Sequence, residues 1–353
     1  ATVRCMATVD DSSGRAMLQR LVDAAAGAIT VQATPSFSAS HVSPVATQPA
    51  RLAARQFHGE IDRNWRVTSF TGLTSSRPHA AELPDRDAAT ADTTGAEAAQ
   101  AATPGGIFAF PRGAQAGTCL HAILEHVDFA ACNTDRMAGL IEDQLMRHGF
   151  STQWSDTVAA MVGNVLRAPL LLGGESITLA QLLPGTFRPE MEFMLPVDRL
   201  APEPLAALFR RHGIWTRFPD LLSELEFTEV RGMMRGFIDL VFRANGRYYL
   251  IDWKSNHLGN RYADYAGSVL GEVMEREFYI LQYHIYTVAL HRFLALRQPG
   301  YDYDRHFGGV FYLFLRGIDA ASAGNGIFAG RPDRKLIEEF AGILSPGEVG
   351  QHA

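Results

Sequence analysis

The sequence predicts a mixed α/β fold, with a central sheet flanked by helices and a largely irregular N-terminal extension. Asn245-Gly246 joins two apolar runs, which is a strong signal for a β-hairpin. Gly308 to Gly317, GGVFYLFLRG, is an apolar run typical of a strand buried on both faces in the middle of a sheet. Glu275 to Arg297 has apolar residues at helical intervals and predicts the longest helix of the chain.

The composition is that of a globular protein. The chain has 353 residues, 47% of them hydrophobic, and a net charge of −6, so any contact with nucleic acid depends on a local basic surface. Cys5, Cys119 and Cys132 form no CxxC pair and are too few for a disulfide scaffold or a four-thiolate metal site. No apolar run approaches the length of a membrane span. We therefore expect a cytoplasmic protein with no membrane partner.

The N-terminal third differs in composition from the rest of the chain. Ser13 to Ala28 has a helical rhythm, and Trp65 to Leu73 predicts one short strand. Asp85 to Gly106 contains no large apolar side chain, which is typical of a flexible linker. These patterns divide the chain into an N-terminal segment (1–75), a flexible linker (76–106) and a compact domain (107–353).

Helical periodicity and cap residues predict the remaining elements of the compact domain. Thr118 is the expected N-cap of the helix CLHAILEHVDFA. Glu190 to Val197 is the expected strand before the hairpin. In the longest helix, the residues expected to face the core are Leu281, Ile285, Val288 and Phe293 or Leu294. Further helices are predicted in DRMAGLIEDQLMRHG, WSDTVAAMVGNVLRAP, PEPLAALFRRHG and PDRKLIEEFAGIL.

The hairpin carries charged residues inside apolar strands. With Asn245 and Gly246 as the two turn residues, the register places Asp239 opposite Asp252, on the strand face that Lys254 shares. Carboxylates about 5 Å apart repel each other unless a cation or a shared proton separates them. A solvated face with a weak ion pair is the alternative. The apolar neighbours on both strands favour a cleft that holds Lys254 and a divalent metal ion.

Such a cleft suits phosphodiester hydrolysis. The reaction requires a hard cation held by carboxylate oxygens, which polarises the phosphate and lowers the pKa of the attacking water. A lysine such as Lys254 orients the nucleophile or stabilises charge in the transition state.

An aspartate followed about a dozen residues later by Asp-x-Lys on a hairpin resembles the signature of the PD-(D/E)xK nuclease superfamily, whose core is restriction-endonuclease-like. GTCLHAILEHVDF, EMEF, LQYHIYTVALHRFL and GGVFYLFLRG extend the similarity to the C-terminal nuclease domains of the RecB family, the β subunits of bacterial exodeoxyribonuclease V. The resemblance covers about Phe110 to the C-terminus. It implies that residues 1–75 are a remnant of a preceding helicase region.

The resemblance also implies the site residues. His121, Glu190, Asp239 and Asp252 would hold the metal ion, and Lys254 would complete the catalytic site. Gln282 and Tyr286, four residues apart on the longest helix, would contact substrate. From the residues alone, a packed or surface histidine is the favoured interpretation of His121. Gln282 and Tyr286 could border the core, and Tyr283 and His284 could lie at the surface. Glu192 lies two residues from Glu190 and is the alternative ligand.

The activity implied is that of a Mg²⁺-dependent deoxyribonuclease of a recombination and repair helicase–nuclease. Its substrate would be mainly single-stranded DNA, with double-stranded ends reached through the parent complex, and its partners would be RecC, RecD and the RecA recombinase. Two alternatives are a protein-docking module for RecA and RecC, and a DNA-binding remnant that needs the helicase for cleavage. The chain contains no GxxxxGK[ST] motif, which excludes ATP hydrolysis by a P-loop here.

Basic and aromatic residues around the hairpin suggest a path for DNA. A local excess of arginine against an acidic average could follow a DNA backbone, through Arg231, Arg235, Arg243 and Arg247. The aromatic residues that could stack on unpaired bases are Tyr248, Trp253, Tyr262 and Tyr265, although Trp253 fits a core position better.

Overall fold

A computed structural model gives the fold of the chain. The structure describes residues 10–33, 65–74, 106–129, 135–227, 229–319 and 324–344. The chain divides into two compact units, Ala1–Glu60 and Ile61–Ala353. In the first unit the described element is the helix α1, Asp11–Ala24, which Asp10 caps through its side chain. Most of the predicted linker, 76–106, lies outside the described residues.

The second unit is built on a six-stranded mixed sheet. Strand β5 lies at its centre, because β4 pairs antiparallel along one edge of β5, while β1 and β6 share the other edge. From β6 the sheet continues to β7, which is parallel, and then to β8, which is antiparallel. The strands of this sheet are β1 (Trp65–Thr68), β4 (Phe187–Leu200), β5 (Val230–Ala244), β6 (Arg247–Lys254), β7 (Phe307–Phe314) and β8 (Ile327–Gly330). A separate hairpin is formed by β2 (Leu170–Leu172) and β3 (Glu175–Ile177).

Helices flank the sheet, as the sequence predicts for a mixed α/β fold. The longest of those described, α9, begins at Tyr279 and ends at Arg297. The other helices of this unit are α2 (Phe70–Thr74), α3 (Ala114–His126), α4 (Asp135–Arg147), α5 (Ser155–Arg167), α6 (Pro202–His212), α7 (Phe218–Ser223), α8 (Gly267–Arg276), α10 (Tyr303–His306) and α11 (Arg334–Leu344). None of the described helices has the length and apolarity that a membrane crossing requires.

The hairpin between β5 and β6 has the predicted turn and register. Asn245 and Gly246 have φ angles of 50° and 78°, so both central turn residues are left-handed, as a type I′ turn requires. The ladder runs from the pair Ala244–Arg247 to the pair Leu240–Ile251, which is the predicted register. It ends one pair before Asp239 would face Asp252.

Two apolar cores lie on the two sides of the sheet. The first packs α6, α9 and α11 against residues such as Leu195, Met234 and Leu250. The second packs α3, α4 and α5 against residues such as Ile251 and Trp253. Trp253 therefore points away from the side of Lys254, as predicted.

The side-chain alternation of β4 and β5 reverses part-way along both strands. Ile238 packs in the first core but Phe242 packs in the second, although residues four apart on a regular strand share a face. On β4, Met191 and Phe187 divide between the two cores in the same way. The reversal falls at the level of Asp239 and of Glu190, whose φ is 46°.

Three sequence predictions of local structure are wrong. Trp65 to Leu73 is not one strand, because β1 ends at Thr68 and α2 begins at Phe70. Thr118 does not cap a helix, since α3 begins at Ala114 after Gly113, whose φ of 98° suits glycine. The helix predicted from Glu275 is divided at Phe278, whose left-handed φ of 56° separates α8 from α9. Within α9, the expected core residues Leu281, Ile285, Val288 and Leu294 are buried, and Phe293 is exposed.

Candidate active site

Asp239 is held between helix α3 and strand β6. Its Oδ1 lies 3.6 Å from Nδ1 of His121, which α3 directs toward the sheet. Its Oδ2 accepts a hydrogen bond of 2.7 Å from the backbone N–H of Trp253. Asp239 and His121 are only 7% and 2% exposed. At the end of the β5–β6 ladder, the Asp239 side chain thus accepts the hydrogen bond that a backbone carbonyl would otherwise accept. The donor, Trp253, directly follows Asp252 on β6, so Asp239 is brought next to Asp252.

Asp252 and Lys254 form a buried ion pair. Lys254 Nζ lies 2.8 Å from Asp252 Oδ2, and the two side chains are 3% and 6% exposed. The ammonium group also lies 4.0 Å from the ring centroid of Tyr279 and 5.5 Å from that of Tyr312. Cation–π attraction is stronger where water is excluded, so these rings stabilise the charged form of the lysine. Neither tyrosine was predicted from the sequence as a site residue.

Gln282 and Tyr286 belong to a buried hydrogen-bond network beside this ion pair. The amide nitrogen of Gln282 donates to the hydroxyl of Tyr286, and its amide oxygen accepts from the hydroxyl of Tyr312, each at 3.0 Å. The network connects helix α9 with β7, and Tyr312 faces Lys254. Gln282 and Tyr286 are 1% and 2% exposed. Their contact with substrate stays a prediction; in the structure, Gln282 is hydrogen-bonded to both Tyr286 and Tyr312.

Two glutamates on β4 are separated by their surroundings. Glu192 is exposed and paired with Arg235, with 2.7 Å between its Oε1 and the arginine Nε. Glu190 is half-buried and lies between the pairs Pro189–Leu240 and Met191–Ile238, so the register places it opposite Asp239. The position favours Glu190 as the glutamate of the site, and the choice between them stays a prediction.

Arg316 connects three segments that carry the site residues. Its guanidinium donates to the backbone carbonyls of Ile107 and Phe110 at 2.9 Å, to Pro111, and to Ser255 at 3.1 Å. Ser255 follows Lys254, and the other three carbonyls precede helix α3. Arg316 is 1% exposed, and burial lowers its pKa to about 10, so it stays charged at neutral pH. Its only sequence signal was an arginine inside an apolar run.

Comparison with known proteins identifies the family. Residues 99–342 match the model of the PD-(D/E)XK nuclease superfamily. The chain belongs to the PD-(D/E)XK nuclease superfamily. The match includes helix α3, strand β4, both strands of the hairpin and helix α9, and therefore every residue predicted for the site. The mixed sheet flanked by helices agrees with this assignment.

The chain is also similar to part of several RecB proteins. It is 40% identical over 303 residues to the RecBCD enzyme subunit RecB of Escherichia coli strain K12, a match that covers 83% of this chain and 25% of that protein. The match to RecB of Haemophilus influenzae is 34% identical and covers 95% of this chain and 28% of the relative. That to RecB of Mycobacterium tuberculosis H37Rv is 31% identical and covers 98% and 34%. The chain thus spans about a quarter to a third of the relatives it matches.

The residues of the site suit Mg²⁺ by their chemistry. Asp239 and Asp252 supply carboxylate oxygens, the preferred ligands of hard cations, and both are almost fully buried. His121 adds an imidazole beside Asp239. Among the described residues, however, no three His, Cys, Asp or Glu side chains lie close enough together to hold a metal ion. The predicted four-ligand cluster of His121, Glu190, Asp239 and Asp252 is therefore not assembled in this structure.

Two of the four aromatic residues predicted to stack on bases are buried. Trp253 and Tyr265 are 2% and 0% exposed, so both are core residues and neither can stack on DNA. Tyr248 lies under the guanidinium of Arg243, 5.6 Å from ring centroid to carbon. Tyr262 is 36% exposed and packs edge-on against Phe108. Tyr283 and His284 are buried, at 5% and 0% exposed, and are not surface residues.

Proposed function

We propose that this chain is a Mg²⁺-dependent deoxyribonuclease that hydrolyses phosphodiester bonds, mainly of single-stranded DNA. The observation that carries the proposal is the buried set of Asp239, Asp252 and Lys254 at the end of the β5–β6 ladder. Burying three ionisable groups costs stability that hydrophobic residues would not cost. A superfamily of nucleases is the context in which such a set has a chemical use.

Each residue has a proposed role. His121, Asp239, Asp252 and Glu190 hold Mg²⁺, which when bound polarises the scissile phosphate and lowers the pKa of the attacking water. Lys254 orients the water or stabilises negative charge on the phosphate as the leaving oxygen departs. Tyr279 and Tyr312, whose rings lie near the ammonium group, hold Lys254 in place.

The names of the relatives extend the proposal. Because they are named as subunits of the RecBCD enzyme, we propose that this chain acts together with RecC and RecD, which deliver DNA ends to this cytoplasmic nuclease. The chain would then cleave DNA during recombination and repair.

A docking role is the second candidate. Helix α1 exposes Met17, Leu18 and Leu21, which are 47% to 56% exposed. The three residues lie within one helical turn of each other, and contiguous exposed apolar patches can mark protein contact sites. Binding of RecA or RecC by this chain would survive loss of the acidic residues, and that separates docking from cleavage.

The test is cleavage of a labelled circular single-stranded DNA, which has no ends for an exonuclease. We expect loss of the circle with Mg²⁺ and its survival with EDTA or with the Asp252→Ala variant. A folded chain that binds DNA but leaves the circle intact in Mg²⁺ would refute an autonomous nuclease and favour docking or dependence on the helicase.

A further inference from the structure

Among the described residues, one half of strand β5 has a face whose side chains are exposed or half-buried. From Val230 to Ile238 the alternate residues Val230, Met234 and Ile238 are fully buried in the first core. The residues between them point to the other side of the sheet, where Arg231 and Arg235 are exposed and Phe237 is half-buried. Helices α3, α4 and α5 cover that side only beyond Asp239, where they pack on Leu240 and Phe242.

Neighbouring strands enlarge this face. In the register, Trp65 and Val67 of β1 pair with Arg231 and Met233, and Met194 of β4 pairs with Arg235. Cross-strand partners point to the same side of a sheet. Trp65, Val67 and Met194 are 55%, 49% and 51% exposed. We name this surface the open sheet face, defined by Trp65, Val67, Met194, Arg231, Arg235 and Phe237.

The open sheet face leads to the candidate active site. Asp239 lies eight positions after Arg231 on β5, which corresponds to roughly 26 Å at about 3.3 Å per residue. The edge of β5 that β1 and β6 share has no strand paired between Met234 and Leu240 among the described residues. The part of β5 that carries Arg235 and Phe237, immediately before Asp239, therefore has no ladder partner on this edge among the described residues.

The chemistry of the open sheet face fits unpaired nucleotides. Aromatic rings stack on bases of any sequence, and guanidinium groups bind phosphates bidentately. Arg235 lies over the ring of Phe237, 5.3 Å from its centroid, so cationic and aromatic groups alternate on this face. In a duplex the faces of the bases are already stacked on one another and cannot stack on an aromatic side chain. The open sheet face therefore suits single strands.

The acidic partners of these arginines do not prevent phosphate binding. Arg235 is paired with Glu192, and Arg231 Nε lies 3.5 Å from Asp198 Oδ1. Both ion pairs are about half exposed, and exposed pairs contribute little to stability. A phosphate can therefore replace either carboxylate at small cost.

We propose that the open sheet face binds single-stranded DNA and guides it to Asp239 and Asp252, with Trp65 stacking on a base and Arg231 and Arg235 binding phosphates. This inference rests on the proposed nuclease function for the destination of the strand. The binding itself needs no metal ion and no cleavage.

The experiment measures affinity of the chain for a fluorescein-labelled oligo(dT) by anisotropy, in EDTA so that no cleavage occurs. Trp65→Ala should lower affinity roughly 5- to 150-fold, the range for loss of one base stack. Arg235→Gln should weaken binding and reduce the slope of log affinity against log salt by about 0.7. Phe293→Ala and Arg147→Gln, at exposed sites on α9 and α4, are matched controls and should change neither quantity.

Several outcomes would overturn the inference. They are an unchanged affinity in Trp65→Ala and Arg235→Gln, tighter binding of a duplex of equal length, or no binding of oligo(dT) at all. Self-association in sedimentation that Trp65→Ala abolishes, with unchanged DNA affinity, would assign the face to a second copy instead. Binding that depends on Trp65 without any cleavage in Mg²⁺ would support this inference and refute the proposed nuclease. Normal cleavage with unchanged DNA affinity in Trp65→Ala would support the proposed nuclease and refute this inference.

Discussion

Breaking the Asp252–Lys254 pair should affect stability and activity separately. The two groups are 2.8 Å apart, and their side chains are 3% and 6% exposed. Asp252→Ala leaves a buried ammonium without its carboxylate, and removal of one partner of a buried pair costs about 3–5 kcal/mol. Lys254→Met leaves the carboxylate and should cost a similar free energy of unfolding. Each single variant should also lose cleavage.

The double variant Asp252→Leu/Lys254→Met separates the two effects. Replacing both members of a buried pair by apolar residues of similar volume is often neutral or stabilising by about 1–4 kcal/mol relative to the pair. We therefore expect the double variant to recover most of the lost stability and none of the cleavage. Urea unfolding followed by tryptophan fluorescence gives the free energies, and the circular-DNA assay gives the rates.

The refuting result is a small effect of the single substitutions. If each single variant unfolds within about 1 kcal/mol of the unsubstituted chain, the pair behaves as an exposed ion pair. Such a result would contradict the burial of Asp252 and Lys254. Recovery of cleavage in the double variant would show that neither charge is needed for the reaction.

Three further predictions concern buried groups outside this pair. Burial lowers the pKa of His284 to about 3, so below its ordinary pKa near 6.5 the unfolded chain binds a proton that the folded chain does not. Stability should fall by about 2 kcal/mol between pH 7 and pH 5, at about 1.4 kcal/mol per pH unit, and His284→Gln should remove that part of the fall in urea unfolding. Arg316→Met leaves four carbonyls without their donor and should lower the free energy of unfolding by at least ~3 kcal/mol, and Arg316→Lys should recover part of that loss. Equal stability of the unsubstituted chain and both variants in thermal unfolding would contradict a buried hydrogen-bond network around Arg316. Gly232 has a φ of 133°, and a Cβ there would lie 2.1 Å from the carbonyl oxygen of Arg66. Gly232→Ala should therefore detach β1 from β5 and speed proteolysis near Trp65. An unchanged rate of proteolysis would argue against the β1–β5 pairing.

The hairpin could be predicted from the sequence because its determinants are local. Asn245-Gly246 fixes the turn, the turn fixes the register, and the register brings Asp239 to the end of β6. The alternation of side chains could not be followed through Asp239, because the reversal there involves the left-handed Glu190 on another strand. For this reason, strand periodicity placed Glu190 and Glu192 on the same face and could not decide which of them is the metal ligand.

Features that join distant segments could not be predicted. Arg316 and Ile107 are 209 residues apart, and nothing near either residue indicates that they meet. The pairing of β1 with β5 depends on tertiary packing, so WRVTSFTGL by itself could not show where the strand ends. The break at Phe278 was missed because apolar residues continue at helical spacing on both sides of it.

The most direct test of the central claim is the initial rate at which the chain cleaves circular single-stranded DNA in Mg²⁺, compared with Asp239→Asn. Asp143→Asn, an exposed aspartate on α4 paired with Arg147, is the control. If Asp239 belongs to a metal-dependent nuclease site, its amide variant should lose at least ~100-fold in rate while the control keeps it. Cleavage by a folded Asp239→Asn chain at the rate of the unsubstituted chain would contradict the account.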